Sequence, residues 1–251
     1  MSGASLLEVQ GLTVRFGGVT ALDDVSLVID EGALVGLIGP NGAGKTTFID
    51  ALTGFVSSRG HIDLANVNID RASPRRRARL GLARTFQSIE LFEDLTVREN
   101  VVVASEDGLW SGLTEPLRGI PQVAEHRVNA AIARVGLGAV VDRLPTELAH
   151  AERKLVGVAR ALARDPKLLL LDEPAAGLDR RTTERLGDQL RALRGEGTTM
   201  LLVDHDMELV LSVCDLVYVL DLGRLIAAGA PGEIRTDPNV IRAYLGEERV
   251  A

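Results

Sequence analysis

Nine consecutive residues, Gly39-Pro40-Asn41-Gly42-Ala43-Gly44-Lys45-Thr46-Thr47, follow the apolar run Leu34 to Ile38 and lead into Phe48-Ile49-Asp50-Ala51-Leu52. A buried strand, a glycine loop and a helix start are therefore contiguous, which is the setting in which GxxxxGKT binds phosphate. Gly39, Gly42 and Gly44 let successive backbone N–H groups, with Asn41 and Ala43 between them, turn inward around phosphate oxygens. The helix beginning near Lys45 aims its unpaired N–H groups and positive dipole end at the same anion. Lys45 is placed to reach the β and γ phosphates of a nucleotide, Thr46 to ligate Mg²⁺, and Thr47 to hydrogen-bond the α phosphate. The expected ligands are ATP and Mg²⁺.

Two further strand ends carry groups that match this chemistry. Lys167-Leu168-Leu169-Leu170-Leu171-Asp172-Glu173-Pro174 is an apolar strand that finishes on two carboxylates. Asp172 can hold the Mg²⁺ that Thr46 touches. Glu173, one residue further along the exit, can point at a water in line with the γ phosphate and is the candidate general base. Thr199 to Asp206 (TMLLVDHD) repeats the arrangement and puts His205 within reach of the γ phosphate. His61, His126 and His150 have no metal-ligand spacing with other donors, so no metal beyond Mg²⁺ is expected. Phe16, just before Gly17-Gly18, can stack on an adenine face; a core phenylalanine at a strand end is the ordinary alternative.

These groups need a scaffold that brings several strand ends together. Continuous apolar strands belong to a parallel sheet covered on both faces, with ligands at the carboxyl ends. The expected fold is α/β: a P-loop NTPase core with a mostly parallel sheet, a small antiparallel β subdomain and a helical subdomain. Leu6 to Phe16 and Val25 to Ile29, with breaks at Gly17-Gly18 and Asp23-Asp24, together with Gly60 to Leu64 and Val67 to Ile69, make the β lobe. Pro74 to Leu80 starts as a helix with proline at N1, its arginines Arg75, Arg76, Arg77 and Arg79 forming a solvated face. Leu82 to Gln87 is a short strand ending in glutamine. Thr96 and Glu99 form a capping box, so a helix begins at Val97, and the text stays helical to about Ala163, with Trp110 in a Gly/Ser/Pro-rich loop and helical periodicity at Glu125 to Val135 and Glu152 to Ala163. Leu216 to Leu220 and Arg224 to Ala228 add two strands, and Pro231 to Arg235 and Pro238 to Leu245 two terminal helices. A single domain spans 6–246, with core and β lobe from 6–86 and 164–246 and the helical lobe from 87–163.

Composition narrows the class. The 251 residues are 46% hydrophobic but only 3% aromatic, so the core must be aliphatic, and a net charge of −7 gives no general attraction to nucleic acid. The lone cysteine, Cys214, excludes an internal disulfide. No apolar run approaches the ~18 residues that span a bilayer, and Met1-Ser2-Gly3-Ala4-Ser5 has no charged n-region of a secretory signal. A cytoplasmic chain is expected.

In order, the P-loop, the glutamine at a strand end, the helical insertion, LLLLDEP and the strand ending in histidine resemble the nucleotide-binding subunit of an ABC transporter over about Leu6 to Gly246. The resemblance implies that Phe16 stacks on adenine, that Gln87 senses the γ phosphate and Mg²⁺ and so joins Glu173 and His205 in catalysis, and that Ala176-Gly177-Leu178-Asp179 is the D-loop. Within that family RTFQ at Arg84 to Gln87, FEDLTVREN at Phe92 to Asn100, DEPAAGLD, DHDMELV and PNVIRAYLGEE look most like branched-chain amino acid importer subunits. Importers of urea or short amides share much of this pattern.

One segment departs from the family. Its signature, LSGGQ or a near variant, falls here on Leu148-Ala149-His150-Ala151-Glu152. In the family's mechanism this segment contacts the γ phosphate held by the second subunit of a dimer. A Cβ at Ala151 crowds that approach if the backbone must pass close to phosphate or take positive φ, and Glu152 brings a carboxylate toward an anion. The chain is thus expected to bind ATP on its own P-loop and to be a poor signature donor.

The resemblance implies an ATPase that energises solute import through separate transmembrane permease subunits. A second cassette, identical or not, completes the dimer, and the chain sits peripherally on the inner face of the membrane. Gln87 and Leu91 to Asn100 would couple nucleotide state to the permease. A soluble relative acting on ribosomes or DNA would carry two cassettes or a long coiled coil. A non-hydrolysing regulatory subunit is the other alternative, favoured by Ala151 and disfavoured by Glu173 and His205.

Overall fold

The computed structural model describes residues 4–86, 90–105 and 122–247. Gln87, Trp110 and the Met1 to Gly3 end of the leader reading lie outside the described residues.

Two sheets organise the chain. The first is antiparallel, in the order β2-β1-β4-β5, from β1 (Ser5–Phe16), β2 (Val19–Asp30), β4 (Arg59–Leu64) and β5 (Val67–Asn68). The second has the order β10-β9-β3-β8-β7-β6, from β3 (Leu34–Ile38), β6 (Leu82–Arg84), β7 (Leu168–Asp172), β8 (Thr199–Val203), β9 (Leu216–Asp221) and β10 (Arg224–Gly229). Its pairings are parallel except β9 with β10, which close through a turn at Leu222 (φ 45°) and Gly223 (φ 81°).

Why the central strands are apolar without alternation is visible in the two cores. Leu34, Ile38, Leu169, Leu171, Met200 and Leu202 face one core, which also receives the helices of residues 97–104, 122–134 and 150–162. Val35, Leu37, Leu168, Leu170, Leu201 and Val203 face the other, with α1 (Lys45–Thr53) and the antiparallel sheet. Both faces of the sheet are covered, so both sets of side chains must be aliphatic.

The remaining helices are α2 (Pro74–Arg79), α3 (Val97–Ala104), α4 (Gln122–Arg134), α5 (His150–Leu162), α6 (Arg180–Gly195), α7 (Met207–Val213), α8 (Pro231–Thr236) and α9 (Pro238–Glu247). The Thr96 capping box is formed on both sides, Thr96 Oγ1 accepting from Glu99 N and Glu99 Oε2 from Thr96 N. Ser73 caps α2 with Pro74 in its first turn.

Four expectations change. Asp23-Asp24 does not interrupt β2: Asp24 takes φ 58° within a strand whose register shifts locally, and its N–H is held by Thr13 Oγ1. β6 ends at Arg84, three residues short of Gln87, because Thr85 leaves the ladder after one last bond from its N–H to Leu170 O. The stretch from 97 to 163 is not continuously helical; short 3-10 turns at Gly138–Val140 and Pro145–Glu147 separate α4 from α5. Finally, Arg77 leaves the solvated arginine face. It is 3% exposed, and its guanidinium donates to Ala51 O and Leu52 O at 2.7 Å and to Asp70 O and Ala72 O at 3.0 Å. The carbonyls of a helix C-terminus lack intrahelical donors, and Arg77 supplies them for α1.

Candidate functional site

The P-loop joins β3, all five residues of which are buried, to α1. Gly44 is the N-cap of α1 at φ 107°, and a Cβ there would meet Ala21 O at 2.8 Å; one on Gly39 would meet Leu220 O at 2.0 Å. Neither position has room for a side chain, so both glycines are required by the seat of the loop. Lys45 is 7% exposed, and its ammonium donates to Gly39 O at 2.5 Å and Pro40 O at 2.9 Å. The cation is thereby fixed inside the curve of the loop. Thr46 and Thr47 occupy the first turn of α1, which contains no acidic residue. That turn supplies no carboxylate of its own to compete for its N–H groups and dipole.

Strand order brings the other groups alongside. β3, β8 and β7 are neighbours, so the P-loop, the His205 exit and the Asp172-Glu173 exit leave the same edge of the sheet. Asp172 is 6% exposed and accepts Arg84 Nη2 at 2.8 Å; the other terminal nitrogen of Arg84 donates to Asp50 Oδ1 at 2.5 Å. Asp50 lies four residues after Thr46 on α1, hence on the same helix face. Through Arg84 the Thr46 face of the P-loop helix is joined to the carboxylate of β7. Mg²⁺ takes one or two protein oxygens plus substrate phosphates, and a hydroxyl and a carboxylate from these two elements fit that donor set.

Glu173 follows at φ 48°, a region that non-glycine residues enter at a cost of about 1–3 kcal/mol. Its peptide is held at both ends: Glu173 N donates to Val203 O at 2.7 Å, and Glu173 O accepts Lys154 Nζ of α5 at 3.2 Å. Burial draws the Lys154 ammonium below the ordinary lysine range, opposed by the nearby charges of Asp204 and Glu173. Asp204, fully buried, accepts from Ala175 N and Asp206 N at 3.0 Å and so ties the β7 exit to the β8 exit. His205 Nδ1 stands 3.9 Å from Glu173 Oε2 and 3.5 Å from Asp204 Oδ1. Phe16 is 51% exposed at the end of β1.

Sequence reasoning assigns no role to Arg84, Lys154 or Asp204. Lys154 follows Glu152-Arg153 and Asp204 precedes His205-Asp206, so their charge alone does not single them out. The segment Leu148 to Glu152 corrects two expectations. Ala151 lies in the first turn of α5 and is not among the residues with positive φ, so only the crowding argument remains. The Glu152 carboxylate folds back onto Ala149 N at 2.8 Å rather than standing toward a neighbouring anion.

A groove of about 750 Å³ opens beside this site, lined in part by Phe55, Phe86, Phe92, Pro74 and Arg160. Phe55 and Phe86 meet edge to face with centroids 6.5 Å apart, and the guanidinium groups of Arg84 and Arg160 lie over the rings of Phe86 and Phe92 at 5.1 and 5.5 Å. Asn100 orders its rim, accepting from Phe92 N and donating to Phe92 O, Leu95 O and Thr96 O.

Residues 22–176 match the model of the ABC transporter family, and 224–250 match that of the branched-chain amino acid ATP-binding cassette transporter. The chain is 43% identical to the high-affinity branched-chain amino acid transport ATP-binding protein LivG of Salmonella typhimurium, over 96% of this chain and 98% of that one. It is 39% identical to BraF of Pseudomonas aeruginosa, which carries the same description, with the same shares covered. The lipopolysaccharide export system ATP-binding protein LptB of Acidithiobacillus ferridurans is 35% identical, over 98% of each chain. Among solved structures, the ADP conformation of MJ1267, an ATP-binding cassette of an ABC transporter, superposes with a TM-score of 0.86 at 29% identity, covering 96% of this chain and 99% of that one.

Proposed function

The chain belongs to the ABC transporter ATP-binding family and is an ATPase, and from that premise we propose that it energises the import of branched-chain amino acids. The substrate assignment is supported by the 39–43% identity, over nearly the whole chain, to subunits of that description.

The observation that carries the hydrolytic reading is the adjacency of β3, β8 and β7, which delivers Lys45, His205, Asp172 and Glu173 to one sheet edge. In this reading Lys45 and the loop N–H groups hold the β and γ phosphates, and Phe16 stacks on the adenine. Thr46, Asp172 and Gln87 would hold Mg²⁺, which when bound neutralises charge on the transferred phosphoryl group. Glu173 orients and deprotonates the attacking water, and His205, close to its carboxylate, contacts the γ phosphate.

Among the described residues no helix is long and apolar enough to cross a membrane. The likeness to importer ATP-binding subunits supports passage of solute through separate permease subunits. The exposed rings of Phe55, Phe86 and Phe92 support the groove they line as their landing site, which would hold the chain on the inner face of the membrane. A second cassette, the same chain or a different one, would close over the nucleotide.

The test is steady-state ATP hydrolysis by the purified chain across protein concentrations, followed by leucine uptake in vesicles containing the permease subunits. Glu173→Gln should abolish turnover while ATP still binds. Uptake that proceeds with Glu173→Gln in place of the native chain would sink the assignment.

A further inference from the structure

We infer that Arg84 is a positioning residue for the metal site: its two terminal nitrogens strap the Asp172 carboxylate of β7 to Asp50 of α1, and so set the distance between that carboxylate and Thr46. The inference rests on the reading of Asp172 as the metal carboxylate.

Four observations carry it. Arg84 and Asp172 are both nearly buried, with side chains 9% and 7% exposed, and the strap bonds are 2.8 Å to Asp172 and 2.5 Å to Asp50. The guanidinium leaves its Nε without a hydrogen-bond partner, so its placement is dictated by the two carboxylates at its fork rather than by satisfying every donor. Phe86 covers one guanidinium face at 5.1 Å and limits its swing. On the far side Thr85 Oγ1, next in sequence, accepts Asp172 N at 3.3 Å, so consecutive residues of one segment hold both backbone and side chain of Asp172.

A buried arginine between two carboxylates is costly unless its geometry is good, and only a planar fork can address two acceptors on different elements at once. Asp172 has two oxygens. With Oδ2 committed to Arg84, Oδ1 is the oxygen that remains for a metal, and the strap fixes its direction. Partners that orient metal ligands in this way typically carry a 10–100-fold share of metal affinity.

Arg84→Lys keeps the charge and removes the fork, so it separates geometry from electrostatics. The readout is the gain in ATP affinity on adding Mg²⁺, measured by calorimetry with Mg²⁺ and then with EDTA for the native chain, Arg84→Lys, Asp50→Asn and Asp172→Asn. Asp172→Asn should lose the gain. Arg84→Lys should reduce it about tenfold while affinity in EDTA stays at the native value. Asp50→Asn, which frees the other end of the strap from a partly exposed position, should reduce it by a smaller factor and keeps the test open if Arg84→Lys fails to fold. An unchanged gain in both strap variants, or an equal loss with and without Mg²⁺, overturns the inference alone. An unchanged gain in Asp172→Asn overturns the metal reading on which it stands.

Discussion

Glu152 Oε2 accepts the backbone N–H of Ala149 at 2.8 Å, so α5 begins with its own carboxylate folded over its first donor. The contrast with α1 is direct. The first turn of α1 has no acidic residue, while that of α5 contains Glu152. A carboxylate in the first turn satisfies the helix dipole internally and competes with any outside anion. With no hydroxyl at Ala149 and a Cβ at Ala151, the expectation that the segment donates weakly to a phosphate bound by a second subunit becomes a testable one. Ala151→Gly should therefore raise the turnover of the chain assayed alone at high concentration, and Glu152→Gln should raise it further. Unchanged specific activity in the double variant would show that the altered segment is fully competent.

Arg77 predicts a stability effect unrelated to ATP. Its guanidinium meets four backbone carbonyls, and removing it leaves buried acceptors unpaired at about 1–3 kcal/mol each where water cannot enter. Arg77→Ala should cost about 3 kcal/mol, lowering Tm by roughly 6–12 °C for a chain of this size. Arg77→Lys, a point charge in place of a fork, should recover less than half of that loss. Thermal unfolding monitored by circular dichroism decides it.

The contrast between Lys45 and Arg77 shows how far the sequence could be read. Gly39 to Thr47 encode their own geometry, because strand, loop and helix start are contiguous and local sterics choose the conformation. LLLLD and TMLLVD declare a sheet covered on both faces because no polar residue interrupts them. Arg77, Arg84 and Lys154 are different: each binds acceptors from elements distant in sequence, and no local pattern states which arginine of PRRRAR turns inward. Tertiary packing decides that, as it decides that β2 runs through Asp24. Periodicity separates Glu125 to Val135 from Glu152 to Ala163, and α4 and α5 fall within a few residues of those bounds; the 3-10 turns between them carry no such pattern.

The capping box of α3 gives a pH-dependent signature. Hydrogen bonds from the Thr96 backbone N–H and hydroxyl hold the Glu99 carboxyl below its ordinary value of 4.5. A carboxylate with a lowered folded value contributes stability that is present above the unfolded value and lost as pH falls through the lowered one. Thr96→Ala should cost about 1 kcal/mol near neutrality, and the difference from the native chain should shrink below about pH 4.5. Urea unfolding at pH 7 and pH 3.5 measures both ends.

The groove predicts a split between basal and coupled hydrolysis. Phe86 stacks against Arg84, which holds Asp172, whereas the ring of Phe55 meets the ring of Phe86 edge to face and its backbone N–H, which a side-chain change leaves in place, donates to Asp50 O. Phe55→Ala should leave hydrolysis by the isolated chain within about twofold and strongly reduce permease-stimulated hydrolysis and leucine uptake if Phe55 is one of the few hot-spot anchors of the docked interface, which contribute about 2 kcal/mol or more each. Equal stimulation of the native chain and Phe55→Ala in reconstituted vesicles would remove this groove as the landing site.

Lys154 links the helical lobe to Glu173, the proposed general base. Its ammonium, reaching across from α5, donates to Glu173 O at 3.2 Å and steadies a peptide whose φ of 48° is unfavourable for glutamate. Lys154→Ala should let that peptide relax toward an ordinary conformation and swing the carboxylate off line. A general base contributes about 10²–10⁴ in rate, and partial misplacement should remove at least tenfold of it, in kcat and with little change in ATP affinity. The pH profile gives a second, independent readout. Burial lowers the Lys154 proton affinity, so the hydrogen-bonding ammonium is lost at a lower pH than an exposed lysine would lose it. Hydrolysis by the native chain should therefore decline on the alkaline side before pH 10.5, and Lys154→Arg, which stays protonated, should move that decline upward. A native decline that Lys154→Arg leaves in place would assign the titration to another group and leave Lys154 with a packing role alone.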